Sequence, residues 1–300
     1  MQRVILVALL TVASGFLSAQ MPTAGGTGWL TNWTTALRAS ATTGKLVLVD
    51  ATALDWAPPA RRQDLEVFSQ PDFFGAASGY VLLRLDYSRA PAQTEAIRAQ
   101  NEALRGQLQL LNLPTTLLVD KTGFVWGRHE GAVDGGPDGF FAMVDALVKQ
   151  KSALETLQKS AAAASPAEKA MALHALFDKA DKAGLAYEFA SLPTQIVSLD
   201  KGNKLGLANR YQVYNRYTRL VAIWSTRNDD PAVVAELTSL ANQVKDQPDL
   251  RQKILFTRGM VQWNALRDPQ AAKASFREAL PLAPDSATGQ RIVILLPELP

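Results

Sequence analysis

The 300-residue sequence contains no cysteine. This absence excludes thiol nucleophiles, thiol–disulfide exchange and thiolate metal ligands, because each of them requires a cysteine sulfur. Disulfide bonds are excluded as well, so packing alone has to stabilise the fold. Hydrophobic residues make up 47% of the chain, which is ample for a packed core, and the length favours two domains.

Histidine is scarce, and the common catalytic motifs are missing. The two histidines, His129 and His174, form no His-Glu-x-x-His pattern, and there is no Gly-x-Ser-x-Gly elbow, phosphate-binding loop or dinucleotide fingerprint. We therefore predict a protein without enzymatic activity, with no catalytic residue, no metal site and no cofactor. A hydrolase or transferase that uses Asp55, Arg61 and His129 is the least favoured alternative, because nothing in their spacing indicates a site.

Long apolar runs are absent after the N-terminus. Arg3 precedes an apolar stretch at residues 4–10, and small residues follow up to Ala19, which is typical of a secretory signal. The stretch is shorter than the roughly 18 residues of a membrane span, so we predict cleavage rather than an uncleaved anchor. Residues 1–19 are thus predicted to be a Sec signal peptide, and residues 20–27 begin a periplasmic or secreted protein. Without a cysteine for lipid attachment, we expect no membrane insertion after signal removal.

Charge of one sign does not dominate the sequence. The formal net charge is +3, and lysine and arginine are interspersed with aspartate and glutamate rather than gathered into a stripe. This pattern is typical of a mixed, solvated surface. We therefore predict no nucleic-acid partner.

Helix and strand patterns alternate between residues 28 and 150. Four helices are predicted: one at residues 29–39 that Gly44 ends, one that begins at Pro58 with Leu65 and Phe68 at three-residue spacing on its apolar face, one at 93–108 and one at 136–150. The predicted strands lie at residues 46–50, 80–86, 115–119 and 124–128. The apolar run at 46–50 indicates a strand buried on both faces. A helical crossover between the first two strands predicts a partly parallel sheet, and the turn at residues 120–123 predicts a hairpin.

This order of elements resembles the thioredoxin fold. More narrowly, residues 45–50, the pair Asp55 and Trp56, and residues 114–123 resemble exported bacterial thioredoxin-like proteins. The resemblance implies an α/β thioredoxin-like domain at residues 28–150.

In that family a Cys-x-x-Cys motif follows the tryptophan, and alignment places its two cysteine positions at Ala57 and Ala60. The reaction needs one thiolate to attack a disulfide and a second thiol to resolve the mixed disulfide. The resemblance therefore implies a thioredoxin-like site without redox chemistry, and a role in thiol–disulfide homeostasis is disfavoured. Asp50 aligns with a buried acid that assists proton transfer in active relatives, and it has no thiol to serve here.

The resemblance also implies a surface that contacts an extended peptide in relatives. Its residues in this chain are Trp56, Ala57, Pro58, Pro59, Leu113, Pro114, Gly131 and Ala132. In relatives the proline at the position of Pro114 is cis and leaves a neighbouring backbone group free to pair with a bound strand. The alternative is that Trp56 and Pro114 only preserve the fold, and the sequence leaves both interpretations open.

The second half of the chain lacks strand patterns. We assign residues 151–165 to a linker or helix and residues 166–300 to an all-α domain. Trp224, Val233, Leu237 and Leu240 recur 39 residues later as Trp263, Ala272, Phe276 and Ala279. The last unit resembles a tetratricopeptide repeat, in which small residues let paired helices approach and an aromatic side chain fills the groove between them. A helical bundle with accidental similarity is the alternative.

These patterns predict a redox-inactive, thioredoxin-like protein of the bacterial envelope that binds a protein or an extended peptide. The alternative is a noncatalytic structural subunit in which the thioredoxin-like domain is a spacer packed against the helices. Exposure of Trp56, Pro58 and Leu113 favours the binding module, whereas their burial favours the spacer.

Overall fold

The computed structural model describes residues 28–89, 93–224 and 230–299. The predicted signal peptide at residues 1–19 and the segment at 20–27 lie outside the described residues, so both stay predictions. Within the described ranges, no helix has the length and apolar character needed to cross a membrane.

The N-terminal half contains a mixed four-stranded sheet. Its strands are β1 (Val47–Thr52), β2 (Val81–Asp86), β3 (Thr115–Val119) and β4 (Val125–Glu130). They are arranged in the order β2-β1-β3-β4, with β1 and β2 parallel and the other two pairs antiparallel. The predicted partly parallel sheet and the predicted hairpin are therefore confirmed. Every residue of the two central strands β1 and β3 is buried, which the apolar run at 46–50 indicated for β1.

Five helices accompany this sheet in the described part of the N-terminal half. They are α1 (Trp33–Thr43), α2 (Pro58–Gln63), α3 (Phe73–Ala76), α4 (Glu95–Gln107) and α5 (Gly136–Ala163). Residues of α1 and α4 pack on one face of the sheet with Val49 and Leu83, and residues of α5 pack on the other with Leu48 and Leu82. The sheet is thus covered on both faces.

The predicted helix at residues 29–39 is wrong at its start. Leu30 instead forms backbone hydrogen bonds with Leu82 and Arg84 at the edge of the sheet. Asn32 then caps α1, because its side-chain oxygen accepts a hydrogen bond from the Thr35 amide at 2.8 Å. Gly44 ends the helix with a φ of 74°, as predicted.

Leu65 does not lie on the predicted apolar face. A π-helical turn at Asp64–Phe68 follows α2 and changes the angular spacing of its side chains. Phe68 is buried as predicted, whereas Leu65 is 60% exposed.

The C-terminal half is helical throughout the described residues. Its helices are α6 (Lys169–Lys182), α7 (Leu192–Leu199), α8 (Leu207–Trp224), α9 (Asp230–Gln243), α10 (Pro248–Asn264), α11 (Pro269–Ala279) and α12 (Ala287–Leu295). The helical class predicted for this half is confirmed. Consecutive helices from α8 to α11 pack on one another, and six of the eight predicted repeat positions are buried. The tetratricopeptide-like arrangement stays a prediction.

The sheet and the first C-terminal helices share one hydrophobic cluster. Helix α5 continues past residue 150 to Ala163, and the cluster joins Leu117 of β3 to Phe177 of α6 and Tyr211 of α8. The domain boundaries at residues 150 and 165 stay predictions.

Candidate functional site

Trp56 lies in the loop that leaves β1. Its indole N–H donates a hydrogen bond to the Tyr87 carbonyl at 3.0 Å, and the Arg89 guanidinium lies 5.7 Å from the ring centroid. The side chain is 37% exposed. The ring offers apolar area to solvent while its N–H is already bonded, so it is a candidate contact for another molecule.

The two alanines that align with the family's cysteines have different surroundings from the prolines between them. Ala57 precedes the first residue of α2, and Ala60 lies within that helix. Both methyl groups are buried in the core cluster, whereas Pro58 and Pro59 are exposed. The helix therefore presents an apolar, proline-containing surface beside Trp56 and no nucleophile at the aligned positions.

Leu113 and Pro114 are joined by a cis peptide bond, as the resemblance implied. The Pro114 carbonyl accepts a hydrogen bond from the Gly131 amide at 2.8 Å. The backbone N–H and C=O of Leu113, in contrast, form no hydrogen bond with any residue that the structure describes. The Leu113 side chain is partly buried against the core cluster.

The third predicted segment, Gly131 and Ala132, is tied to the other two. Gly131 binds the Pro114 carbonyl, and the Val133 amide donates to Oε1 of Gln63 at 3.2 Å. Asp134 forms an ion pair with Arg62 of α2 at 2.5 Å. Gly131 is thus bonded directly to Pro114, and the two residues after Ala132 are bonded to α2, the helix that begins at Pro58.

Asp50 belongs to a buried charge network below this surface. Its Oδ2 accepts a hydrogen bond from Nε of Arg84 at 3.1 Å, and Arg84 also donates to Asp64 at 2.8 Å. Burial raises the pKa of Asp50 to about 6, and the charge of Arg84 opposes this rise. The Arg84 guanidinium lies over the rings of Trp29 and Phe68, at 4.9 and 5.4 Å.

Sequence reasoning found Asp50 and missed Arg84 and Asp64. The available signal was an arginine inside the apolar run of β2, at a position that a parallel register brings beside Asp50. A charged residue in a buried strand needs a partner, and Asp50 is the acid in the neighbouring run. The sequence has no cysteine, so no thiol lies beside this network.

The residues of the least favoured alternative lie on different elements of the fold, and Asp55 belongs to the loop after β1. Arg61 donates to the backbone carbonyls of Leu54 and Asp55, at 3.1 and 3.4 Å. His129 lies on β4, where burial lowers its pKa, and pairs in register with Thr116. Within the described ranges no group of three or more histidine, aspartate or glutamate residues could hold a metal ion.

Comparison with known proteins adds little beyond this geometry. No family model matches the sequence, and no curated protein matches it. A solved structure described as "DsbH Oxidoreductase" aligns with 40% of this chain and 83% of its own, with 20% identity and a TM-score of 0.38. At that TM-score the likeness says nothing about the activity of this chain. The thioredoxin resemblance of the N-terminal half rests on the strand order and on the cis-proline before β3.

Proposed function

We propose that the chain is a noncatalytic binding module of the bacterial envelope that holds an extended protein segment. The groove is defined by Trp56, Pro58, Leu113 and Gly131. The observation that carries the proposal is the unpaired backbone of Leu113, which precedes β3 at the end of the sheet where β1 leads into the loop of the exposed Trp56. Both groups offer contacts that the described chain does not itself use.

The backbone of Leu113 supplies the pairing. An extended peptide that lies against this residue would accept a hydrogen bond from its N–H and donate one to its C=O, as in strand addition to a sheet edge. Main-chain pairing of this kind is independent of the peptide's sequence. Trp56 and Pro58 provide the neighbouring apolar wall on which the peptide's side chains pack.

Without cysteine, the groove can bind a protein segment but cannot form a disulfide bond with it. A thioredoxin-like surface with cysteines at positions 57 and 60 would trap a substrate as a mixed disulfide. Alanine at both positions leaves only noncovalent contacts. Release of the bound segment therefore needs no reductant.

The spacer alternative has one observation in its favour. The sheet and the helical half share a hydrophobic cluster, and Arg291 of α12 reaches Glu130 at the end of β4 at 3.2 Å. However, Trp56 and Pro58 are exposed and the helices do not cover them. Their exposure supports the binding module, although Leu113 is only partly exposed.

The test begins with a peptide selected on the purified full chain from a library of random unstructured 12-residue sequences. Trp56→Ala should weaken binding of the synthetic peptide about tenfold, since buried tryptophans dominate interfaces. Leu65→Ala removes a more exposed apolar group outside the groove and should leave the affinity unchanged.

Hydrogen exchange separates strand pairing from simple apolar adhesion. The Leu113 amide, which has no partner in the described chain, should exchange rapidly in the free protein and become protected when the peptide binds. Binding that protects the amide and depends on Trp56 supports the proposal. No saturable peptide binding, or binding that leaves the Leu113 amide unprotected, would favour the spacer.

A further inference from the structure

A second groove lies between the sheet half and the C-terminal helices, away from Trp56. Its volume is about 440 Å³, within the roughly 300–1,000 Å³ that ligand pockets occupy. We call it the tyrosine groove. The residues that matter for its chemistry are Gln109 after α4, Tyr187 before α7, and Tyr214, Asn215, Tyr217 and Val221 of α8.

The tyrosine groove is electrically neutral. None of the described residues that line it is charged, although 20% of the chain is. The adjoining cavity of about 370 Å³ is lined instead by charged groups, among them Arg128, Asp181 and Lys253. A charged ligand would lose hydration in the tyrosine groove without gaining a counter-charge, so the groove selects a neutral one.

Two of its three tyrosine hydroxyls are available to a ligand. The Tyr217 hydroxyl is already bonded to the Thr257 hydroxyl at 2.8 Å. The hydroxyls of Tyr187 and Tyr214 form no hydrogen bond with the residues that the structure describes, and Tyr187 is 60% exposed. The groove therefore presents aromatic faces together with two unused O–H donors.

The sheet side of the groove has a fixed edge. Gln109 adopts a φ of 52°, which is uncommon for a residue other than glycine. The Arg128 guanidinium holds this turn by donating to the carbonyls of Leu108 and Gln109. A preformed edge lowers the entropic cost of binding.

We propose that the tyrosine groove binds a proline-rich peptide segment in the polyproline II conformation. Such a segment is neutral, and its prolines lack N–H groups, so its backbone offers acceptors that match the two free hydroxyl donors. Its pyrrolidine rings pack on aromatic faces, and its conformation is extended before binding. A neutral glycan also stacks on tyrosine, and it is the alternative ligand that the test below separates from the peptide.

The test uses fluorescein-labelled decaproline and the full chain, with fluorescence anisotropy as the readout. Tyr187→Ala should weaken binding about tenfold, and Tyr214→Phe, which keeps the ring and removes the hydroxyl, should weaken it about threefold. Two matched controls should leave the affinity unchanged. Leu65→Ala removes a side chain that is also 60% exposed, and Tyr80→Phe removes a hydroxyl outside the groove.

The Trp56→Ala variant distinguishes this proposal from the proposed function, because it should leave decaproline binding unchanged while it weakens binding of the library peptide. Unlabelled maltohexaose serves as the glycan probe. Decaproline binding that depends on Tyr187 and resists maltohexaose supports the proposal. No saturable decaproline binding, equal binding by the Tyr187→Ala variant, or maltohexaose binding in place of decaproline would overturn it.

Discussion

Gly259 of α10 lies directly against the ring of Phe276 of α11. A Cβ built on Gly259 would stand 2.4 Å from Cε1 of that ring, well inside van der Waals contact. The ring has little room to move, because it is fully buried and stacks on Phe256 with centroids 5.6 Å apart. The two helices approach this closely because residue 259 has no side chain.

The first prediction is that Gly259→Ala destabilises the protein. Overpacking should lower the free energy of unfolding by about 1–3 kcal/mol, even though alanine favours a helix over glycine by about 1 kcal/mol. Urea denaturation followed by circular dichroism measures the change. The control is Gly106→Ala in α4, where an added Cβ meets nothing within 4 Å. That variant should be stabilised, and equal effects at both glycines would contradict the close-packing explanation.

The fold was largely predictable where side-chain pattern and backbone signal agree. The buried run of β1, the prolines that begin α2 and the glycine that ends α1 each act locally, and the structure confirms them. Errors occur where the local structure depends on more than the neighbouring residues in the sequence. Leu30 leaves the predicted helix because the sheet edge offers it backbone partners, and a π-helical turn moves Leu65 to the surface.

The candidate site was predictable as a set of segments and not as a network. Trp56 and Pro114 were identified because their neighbours in sequence resemble a known arrangement. Arg84, Asp64 and Gln63 were not, because the partners of a buried charge or a loop amide depend on strand register and helix placement. The tyrosine groove was missed for the same reason: its walls come from three separate parts of the chain.

The second prediction concerns Asp50 and pH. Burial raises the pKa of Asp50 to about 6 in the folded state, above the unfolded value near 3.8. The stability that the Asp50 carboxyl group contributes is therefore fully present below pH 3.8 and is lost as the pH rises through 6. Wild type should therefore lose about 2–3 kcal/mol relative to Asp50→Asn between pH 4 and pH 7.5, at about 1.4 kcal/mol per pKa unit. Urea denaturation across this range measures the difference.

The exposed acid Asp72 provides the control for that titration. Asp72→Asn makes the same substitution at an exposed position outside the buried network, and it measures the effect of removing one acidic side chain alone. A profile of Asp50→Asn that runs parallel to wild type would show that the Asp50 carboxyl is not the group that titrates.

The third prediction is that two cysteine substitutions introduce disulfide reductase activity. Wild type should reduce a fluorescent disulfide substrate in the presence of dithiothreitol only at the background rate, because it has no thiol. Ala57→Cys combined with Ala60→Cys places two thiols around the start of α2, where a thiolate is stabilised, and should raise the rate above background. The double serine variant at the same positions should stay at background. A wild-type rate above background would refute the proposal that the chain is noncatalytic.

The fourth prediction tests the backbone at the edge of the tyrosine groove. Gln109 follows α4 with a φ of 52°, a conformation that costs a residue with a Cβ about 1 kcal/mol relative to glycine. Two effects oppose this gain, namely the greater entropy of glycine in the unfolded chain and the loss of the Gln109 side-chain hydrogen bond to the Gly106 carbonyl. Gln109→Gly should therefore raise the free energy of unfolding by about 0.5 kcal/mol. Gln107→Gly, at the last residue of α4, should act in the opposite direction, because glycine weakens a helix by about 0.5–1 kcal/mol. Urea denaturation measures the change in the free energy of unfolding for both variants. Changes of opposite sign at positions 107 and 109 are expected only if the backbone enters the left-handed region at residue 109. Equal destabilisation by both substitutions would contradict that geometry.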